Sequence, residues 1–254
     1  MVSDHHRLPR PSLLRLRTGS NSTKQLTFGI IAALTNDRVI GIDGGLPWKI
    51  NSNWKEEYAP AATACIQLDR DRFVTLTRNK ILIMGRKTFA DEDPTGAHVK
   101  HARVCIVISK TMNPLVMGND GPNVSVDVNN SAGPIVMLAR SFDEALEKAT
   151  NELYSVDDES SHSDQGEILN DEEVQKIQCW VAGGEMIYKE ALQHCKANVV
   201  HLTHVDMTVK EATHHSITHF PVEYLERYGF QEMRRESTGS PRISFCLYKK
   251  HCRK

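Results

Sequence analysis

Cations, hydroxyls and paired glycines recur in this chain where apolar runs end, a placement suited to binding a multiply charged anion. In IMGRKTF (83–89) a strand-like run ends at Gly85, and Arg86, Lys87 and Thr88 stand at the expected start of a helix. Helix N-termini present free backbone N–H groups, and guanidinium, ammonium and hydroxyl groups beside them make a phosphate site. Cations are electrostatically favoured at the other end of a helix, so their presence here points to a ligand. RVCIVISK (103–110) closes in the same way on Ser109 and Lys110. VAGGEMIY (181–188) sets Gly183 and Gly184 between a strand and a helix start, where missing side chains let a ligand approach the backbone. Ligands of open α/β sheets bind beyond the carboxyl ends of the strands. Three such ends together suit a nucleotide with several phosphates.

A second constellation is GLPWKINSNWKEEY (45–58). A tight turn is expected at Gly44-Gly45, and Leu46-Pro47-Trp48 then places apolar side chains where a plain loop is polar. Glu56 and Glu57 follow on a helix-starting run as candidate acids. Further on, LDRDRF (68–73) alternates charge, and Asp71 and Arg72 after Arg70 make it look like a solvated helix face. Metal chemistry finds little support among the 12 histidines. His201 and His204 lie three apart on an expected strand and so face opposite sides, and His214 and His215 are adjacent without a partner motif. No metal site is expected.

The elements that must position these groups follow from hydrophobic period and turn chemistry. LTFGIIAAL (26–34) is a near-continuous apolar run of strand length, the pattern of a strand buried on both faces. KILIMG, RVCIVIS, PIVML, CWVAGG and NVVHLTHV repeat it. Helical patterns lie between them, including SFDEALEKAT (141–150), where Ser141 and Glu144 have capping-box spacing, and EMIYKEALQHC (185–195). YGFQEMRRES and RISFCLYKK, separated by Gly239-Ser240-Pro241, read as a terminal hairpin. The expected fold is α/β: a mostly parallel central sheet flanked by helices, with a C-terminal antiparallel β-hairpin.

The chain has 254 residues, 40% hydrophobic and 25% charged, with a formal net charge of −1. That balance argues against a protein held on nucleic acid by bulk charge, and no apolar run approaches the ~20 residues that span a bilayer. The six cysteines show no CxxC pair and read as reduced thiols, several of them inside apolar runs. Residues 1–25 are basic and Ser-rich, a disordered tail or an organelle-targeting segment. The expected compartment is therefore the cytoplasm, with mitochondrial targeting by the tail as the alternative. Residues 155–173 are acidic, nearly free of large apolar side chains, and expected to form a surface loop. A single domain is expected over 26–251.

These motifs, in this order, resemble dihydrofolate reductase over about Phe28 to Lys250. IIAALTNDRVIGIDGGLPW looks like that family's first strand and its mobile loop, and IMGRKTF, RVCIVIS, VAGGEMIY, LTHVD and THFP follow in family order. The resemblance implies that the chain reduces 7,8-dihydrofolate to 5,6,7,8-tetrahydrofolate with NADPH, by hydride transfer, as a monomer serving one-carbon metabolism. It implies that Ala33, Ile40 and Gly41 line the nicotinamide, with Leu46 and Trp48 in the loop closing over it. Gly85, Arg86, Lys87, Thr88, Ser109 and Lys110 would hold the phosphates and the 2′-phosphate adenosine, and Gly183, Gly184, Glu185, Met186 and Tyr188 would complete the cofactor side. On the substrate side it implies Ile31, Phe73 and Thr203, together with Arg103, six residues before Ser109, gripping the glutamate α-carboxylate. A planar guanidinium suits that task because it binds a carboxylate through two parallel bonds.

The family's acid is the point of departure. Five and six residues after Trp48 stand Asn53 and Trp54, and neither ionises. Asp69, Phe73 and Thr77 lie at i, i+4 and i+8, one helical face, with Thr77 seven residues before Met84. That register makes Asp69 the acid beyond an insertion at about 53–68. Glu56 or Glu57 and outright loss of the acid are the alternatives. Two other functions stay open: a catalytically silent binder of NADPH or folates, and a riboflavin-pathway-type reductase of the same fold.

Overall fold

The computed structural model describes residues 26–50, 67–91, 99–112, 134–155, 172–209, 215–238 and 242–251. The basic tail, Asn53, Glu56, Glu57, most of the 53–68 insertion, 156–171 and Gly239-Ser240-Pro241 lie outside them. In chain order the elements are β1 (Phe28–Thr35), β2 (Val39–Ile42), α1 (Pro47–Ile50), helical residues 67–77 as α2, β3 (Ile81–Gly85), α3 (Arg86–Asp91), β4 (Val104–Ile108) and β5 (Ile135–Ala139). Then come α4 (Phe142–Tyr154), α5 (Glu172–Lys176), β6 (Cys179–Val181), α6 (Glu185–Gln193), β7 (Ala197–Val205), β8 (Ile217–His219), α7 (Glu223–Arg227), β9 (Phe230–Ser237) and β10 (Ile243–Lys250).

Eight strands form one sheet in the order β5-β4-β3-β6-β1-β7-β10-β9. The pairings from β5 to β7 are parallel, and β10 runs antiparallel to both β7 and β9. Successive residues of a strand feed two separate cores, as the pleat requires. On β3, Ile81 and Ile83 join the core beneath α4 and α6, while Leu82 and Met84 join the other with Leu76 of α2 and Phe89 of α3. Both faces are covered over β1, β3, β4, β6 and β7, which is why these strands read as unbroken apolar runs. The edge strand β5 carries an equally apolar run with Ile135 exposed. Cys105, Cys179 and Cys246 are fully buried free thiols, and burial pushes Cys105 and Cys179 up to about 12. At the centre Gly29 lies opposite Trp180, whose ring occupies the space a side chain at 29 would need.

Three local expectations are corrected. The turn before the LPW segment has Asp43 (φ +50) and Gly44 (φ +89) at its centre, not Gly44-Gly45, and Ile42 and Gly45 exchange backbone bonds of 2.9 and 3.0 Å across it. Positive φ at both central residues defines a type I′ turn, for which Asp-Gly is a preferred pair. At the start of α4, Ser141 Oγ accepts from Glu144 N at 3.1 Å as the spacing implies, but the Glu144 carboxylate accepts from Arg140 N (2.7 Å) instead of closing a reciprocal box. Finally, LDRDRF is not a solvated face throughout. Asp71 and Arg70 are exposed, yet Arg72 is 4% exposed and paired with Glu236. A carboxylate on β9, distant in sequence, makes that burial possible.

A second, two-stranded sheet, β2 with β8, ties the segment leading to the turn to the chain after β7. Among the described residues no helix is long and apolar enough to cross a membrane, and no group of three His, Cys, Asp or Glu could hold a metal ion.

Candidate active site

Beyond the carboxyl ends of β3, β4 and β6, and alongside β1, lies a cleft of about 1020 Å³. That is at the upper end of small-ligand sites, roughly 300–1,000 Å³, and is roomy enough for a dinucleotide.

One wall is the row of strand ends. Gly85 closes β3 and donates its N–H to Gly183 O at 2.7 Å, joining the ends of β3 and β6. Gly183 has φ +112, and a Cβ there would stand 2.9 Å from Tyr188 Oη. That hydroxyl is spent inside the protein: it donates to Ile31 O (2.8 Å), coupling α6 to the middle of β1. Arg86, Lys87 and Lys110 are exposed at the mouth, while Thr88 is half-buried and Ser109 buried. No carboxylate among the described residues pairs with Arg86, Lys87 or Lys110, so all three positive charges are available to an anion. Ser109 Oγ accepts from Met112 N (3.0 Å), and Arg140 Nη1 donates to Ser109 O (2.9 Å) and Met112 O (2.7 Å). The loop carrying Lys110 and Thr111 is thus held by a residue that local sequence did not single out. Glu185 and Lys189 pair along α6 at 2.6 Å, and Met186 is 66% exposed at the rim.

The facing wall comes from the LPW segment and α2. Ile40, Gly41, Leu46 and Trp48 line the cleft with Ala33 of β1. Trp48 is buried with Leu46 and Ala33 packed in the same apolar cluster, and its Nε1 has no partner among the described residues. Ser216 and Thr218 join this wall through the β2–β8 sheet, and Asp43 accepts from Ser216 N (2.9 Å) while pairing with His215 Nδ1. The His215 contact, followed by the Ser216 N–H, holds the Asp43 carboxyl below the usual range.

Asp69 and Phe73, with Arg70 and Val74, line the cleft from α2. Thr77, expected on the same face, is fully buried and turned elsewhere: its hydroxyl donates to Phe73 O (2.5 Å) and meets His101 Nε2 at 2.6 Å. The structure therefore brings Asp69 together with Ile31, Ala33, Ile40, Gly41, Leu46, Trp48 and the strand-end set. It places Thr203 and Arg103 outside the lining residues. Thr203 is buried in β7 as the register partner of Ala33. Arg103 is half-buried ahead of β4, at the opposite end of that strand from Ser109. Six strand residues span about 20 Å, so only a long ligand would touch both.

The residues present suit a nicotinamide dinucleotide: glycines where strand ends need close approach, and cations beside hydroxyls for its phosphates. Fold and site together define an α/β protein of the type that binds a nucleotide beyond its strand ends, with a carboxylate across the cleft. No protein-family model matches the chain. Curated relatives do. It is 27% identical over 182 residues to dihydrofolate reductase of Aedes albopictus (71% of this chain, 74% of the relative) and 26% identical over 207 residues to that of Pneumocystis carinii (82% and 79%). To the Saccharomyces cerevisiae dihydrofolate reductase it is 32% identical over 120 residues, covering 47% of this chain and 52% of the relative. All three relatives are dihydrofolate reductases, and the similarity to them supports a place for the chain in that family.

Proposed function

We propose that the protein reduces 7,8-dihydrofolate to 5,6,7,8-tetrahydrofolate using NADPH, with residues 26–251 acting as one catalytic domain and Asp69 as its acid. The observation carrying this reading is that Asp69 and Phe73 of α2 share one cleft with Gly183, Gly184, Arg86, Lys87 and Lys110. NADPH, when bound, supplies the hydride. The exposed cations at the mouth hold its phosphates, the 2′-phosphate included, which favours NADPH over NADH. Asp69 accepts hydrogen bonds from the pterin's amino and ring N–H groups and supports protonation at N5. Phe73 and Ile31 pack against the flat substrate rings. Leu46 and Trp48 cover the reacting atoms and exclude water, which strengthens every electrostatic contact inside. Arg103 grips the far carboxylate of a substrate long enough to run the length of β4, and Thr203 supports the acid from β7.

NADPH oxidation followed with dihydrofolate as acceptor tests this. Wild type turns over, and Asp69→Asn, which keeps the shape but cannot ionise, loses roughly 10²-fold or more of kcat near neutral pH while still binding NADPH. Full activity of the Asn variant across pH would remove Asp69 from the mechanism. No turnover by wild type would remove the reaction.

A further inference from the structure

Helix α2 presents Asp69, Arg70, Phe73 and Val74 to the cleft, and beside the apolar packing of Leu68 and Leu76 it sets a buried charge against the sheet. Arg72 stands three residues after Asp69 and immediately before Phe73, with its side chain 4% exposed. Its Nη2 donates to Glu236 Oε2 at 2.7 Å, and its guanidinium lies 4.3 Å over the ring of Phe245. The strand register gives these two contacts their meaning. Ala33 of β1 pairs with Thr203 of β7, Thr203 with Phe245 of β10, and Phe245 with Glu236 of β9. Directly opposed residues share a face, so the four form one row across the sheet. The Ala33 end of the row lines the cleft, and Arg72 grips the other end. Phe245 also packs into the cluster that holds Trp48, Leu46 and Ala33.

Stability by itself is a weak reason for this arrangement. A desolvated guanidinium is costly, and Arg72 Nε and Nη1 meet no acceptor among the described residues. Buried ion pairs of this kind are often matched or bettered in stability by apolar side chains of similar volume. What a charged hydrogen bond supplies is geometry, because its length and direction are narrowly set. An apolar contact lets a helix slide by a fraction of a turn.

We propose that Arg72 is a positioning residue: by tying α2 to the row that carries Ala33 and Thr203, it sets the distance of Asp69 and Phe73 from the opposite wall. The inference rests on the proposed reduction of dihydrofolate. It concerns the substrate side alone, since the strand ends carrying Gly85, Arg86 and Gly183 are stitched together independently.

Steady-state kinetics and NADPH binding of wild type, Arg72→Met, Arg72→Lys and Glu236→Ala test it. In Arg72→Met the KM for dihydrofolate rises and kcat falls, so that kcat/KM drops roughly tenfold to a hundredfold, the scale on which small misplacements act. The NADPH dissociation constant stays at the wild-type value. Glu236→Ala moves the same constants in the same direction from the other end of the pair, and Arg72→Lys recovers part of the loss. Glu236 is less buried, its side chain 23% exposed, so its variant carries the test if Arg72→Met does not fold. Folded variants with wild-type KM and kcat, altered only in their unfolding midpoint, overturn the role. A wild type that binds NADPH but does not turn over dihydrofolate overturns the proposed reaction, and this role with it.

Discussion

Gly183→Ala is the sharpest probe of the cleft floor, because two separate costs converge on one added methyl group. The backbone at 183 has φ +112, a region that L side chains rarely adopt, and holding alanine there costs about 1–3 kcal/mol. The new Cβ would also lie 2.9 Å from Tyr188 Oη and 3.0 Å from its Cζ, so the ring must move. Moving it breaks the 2.8 Å bond to Ile31 O, and an unpaired buried carbonyl costs a further 1–3 kcal/mol or so. The sum, about 2–6 kcal/mol, is a large part of a typical domain's stability of roughly 5–15 kcal/mol. Gly85→Ala is the comparison: its added Cβ meets Ile187 Cγ1 at 3.4 Å and no atom more closely. Urea unfolding gives the two midpoints, and titration with NADPH under folding conditions gives the affinities. Gly183→Ala loses stability by the stated amount and at least tenfold in NADPH affinity, since Tyr188 and Ile31 both line the cleft. Gly85→Ala loses less than about 1 kcal/mol of stability. Equal midpoints for the two variants would refute the reasoning.

Gly29→Ala places a Cβ 2.6 Å from Cζ3 of the buried Trp180, so urea melts show a loss of about 1–3 kcal/mol, as overpacking does. Trp180→Leu in the same chain relieves the clash, so the double variant is more stable than the sum of the single losses predicts; strict additivity would count against the contact. His201 gives a pH signature. Burial first, then the charge of Arg72, lowers its pKa from the ordinary histidine value of about 6.5 to about 3, so the folded state binds fewer protons than the unfolded one between these values. Its contribution is therefore complete above about pH 6.5 and is lost as pH falls toward 3, at up to about 1.4 kcal/mol per pH unit. His201→Leu flattens that limb in urea melts taken across pH, and an unchanged slope would show that another group carries it.

Much of the scaffold was legible because its signals are local. Unbroken apolar runs mark strands, and each of those named from sequence is a strand of the sheet, all but the edge strand β5 covered on both faces. The strand-end glycines, cations and hydroxyls gather because parallel strands bring their carboxyl ends to one edge. Asp69 and Phe73 share the cleft because residues four apart share a helical face. Thr77 obeys the same periodicity and still turns away, because His101 and the Phe73 carbonyl offer its hydroxyl nearer partners.

The sequence by itself determined where the strands run, where they end and which chemical groups stand at those ends, since period and turn chemistry act among near neighbours. Only the tertiary structure decided that Arg72 is buried, that Arg140 holds the loop after β4, and that β8 pairs with the segment before the LPW turn. The partners lie far along the chain: 164 residues separate Arg72 from Glu236, and 31 separate Arg140 from Ser109. No local pattern distinguishes a charge that water will solvate from one that a distant carboxylate will meet. That distinction exists only once the sheet has set its register.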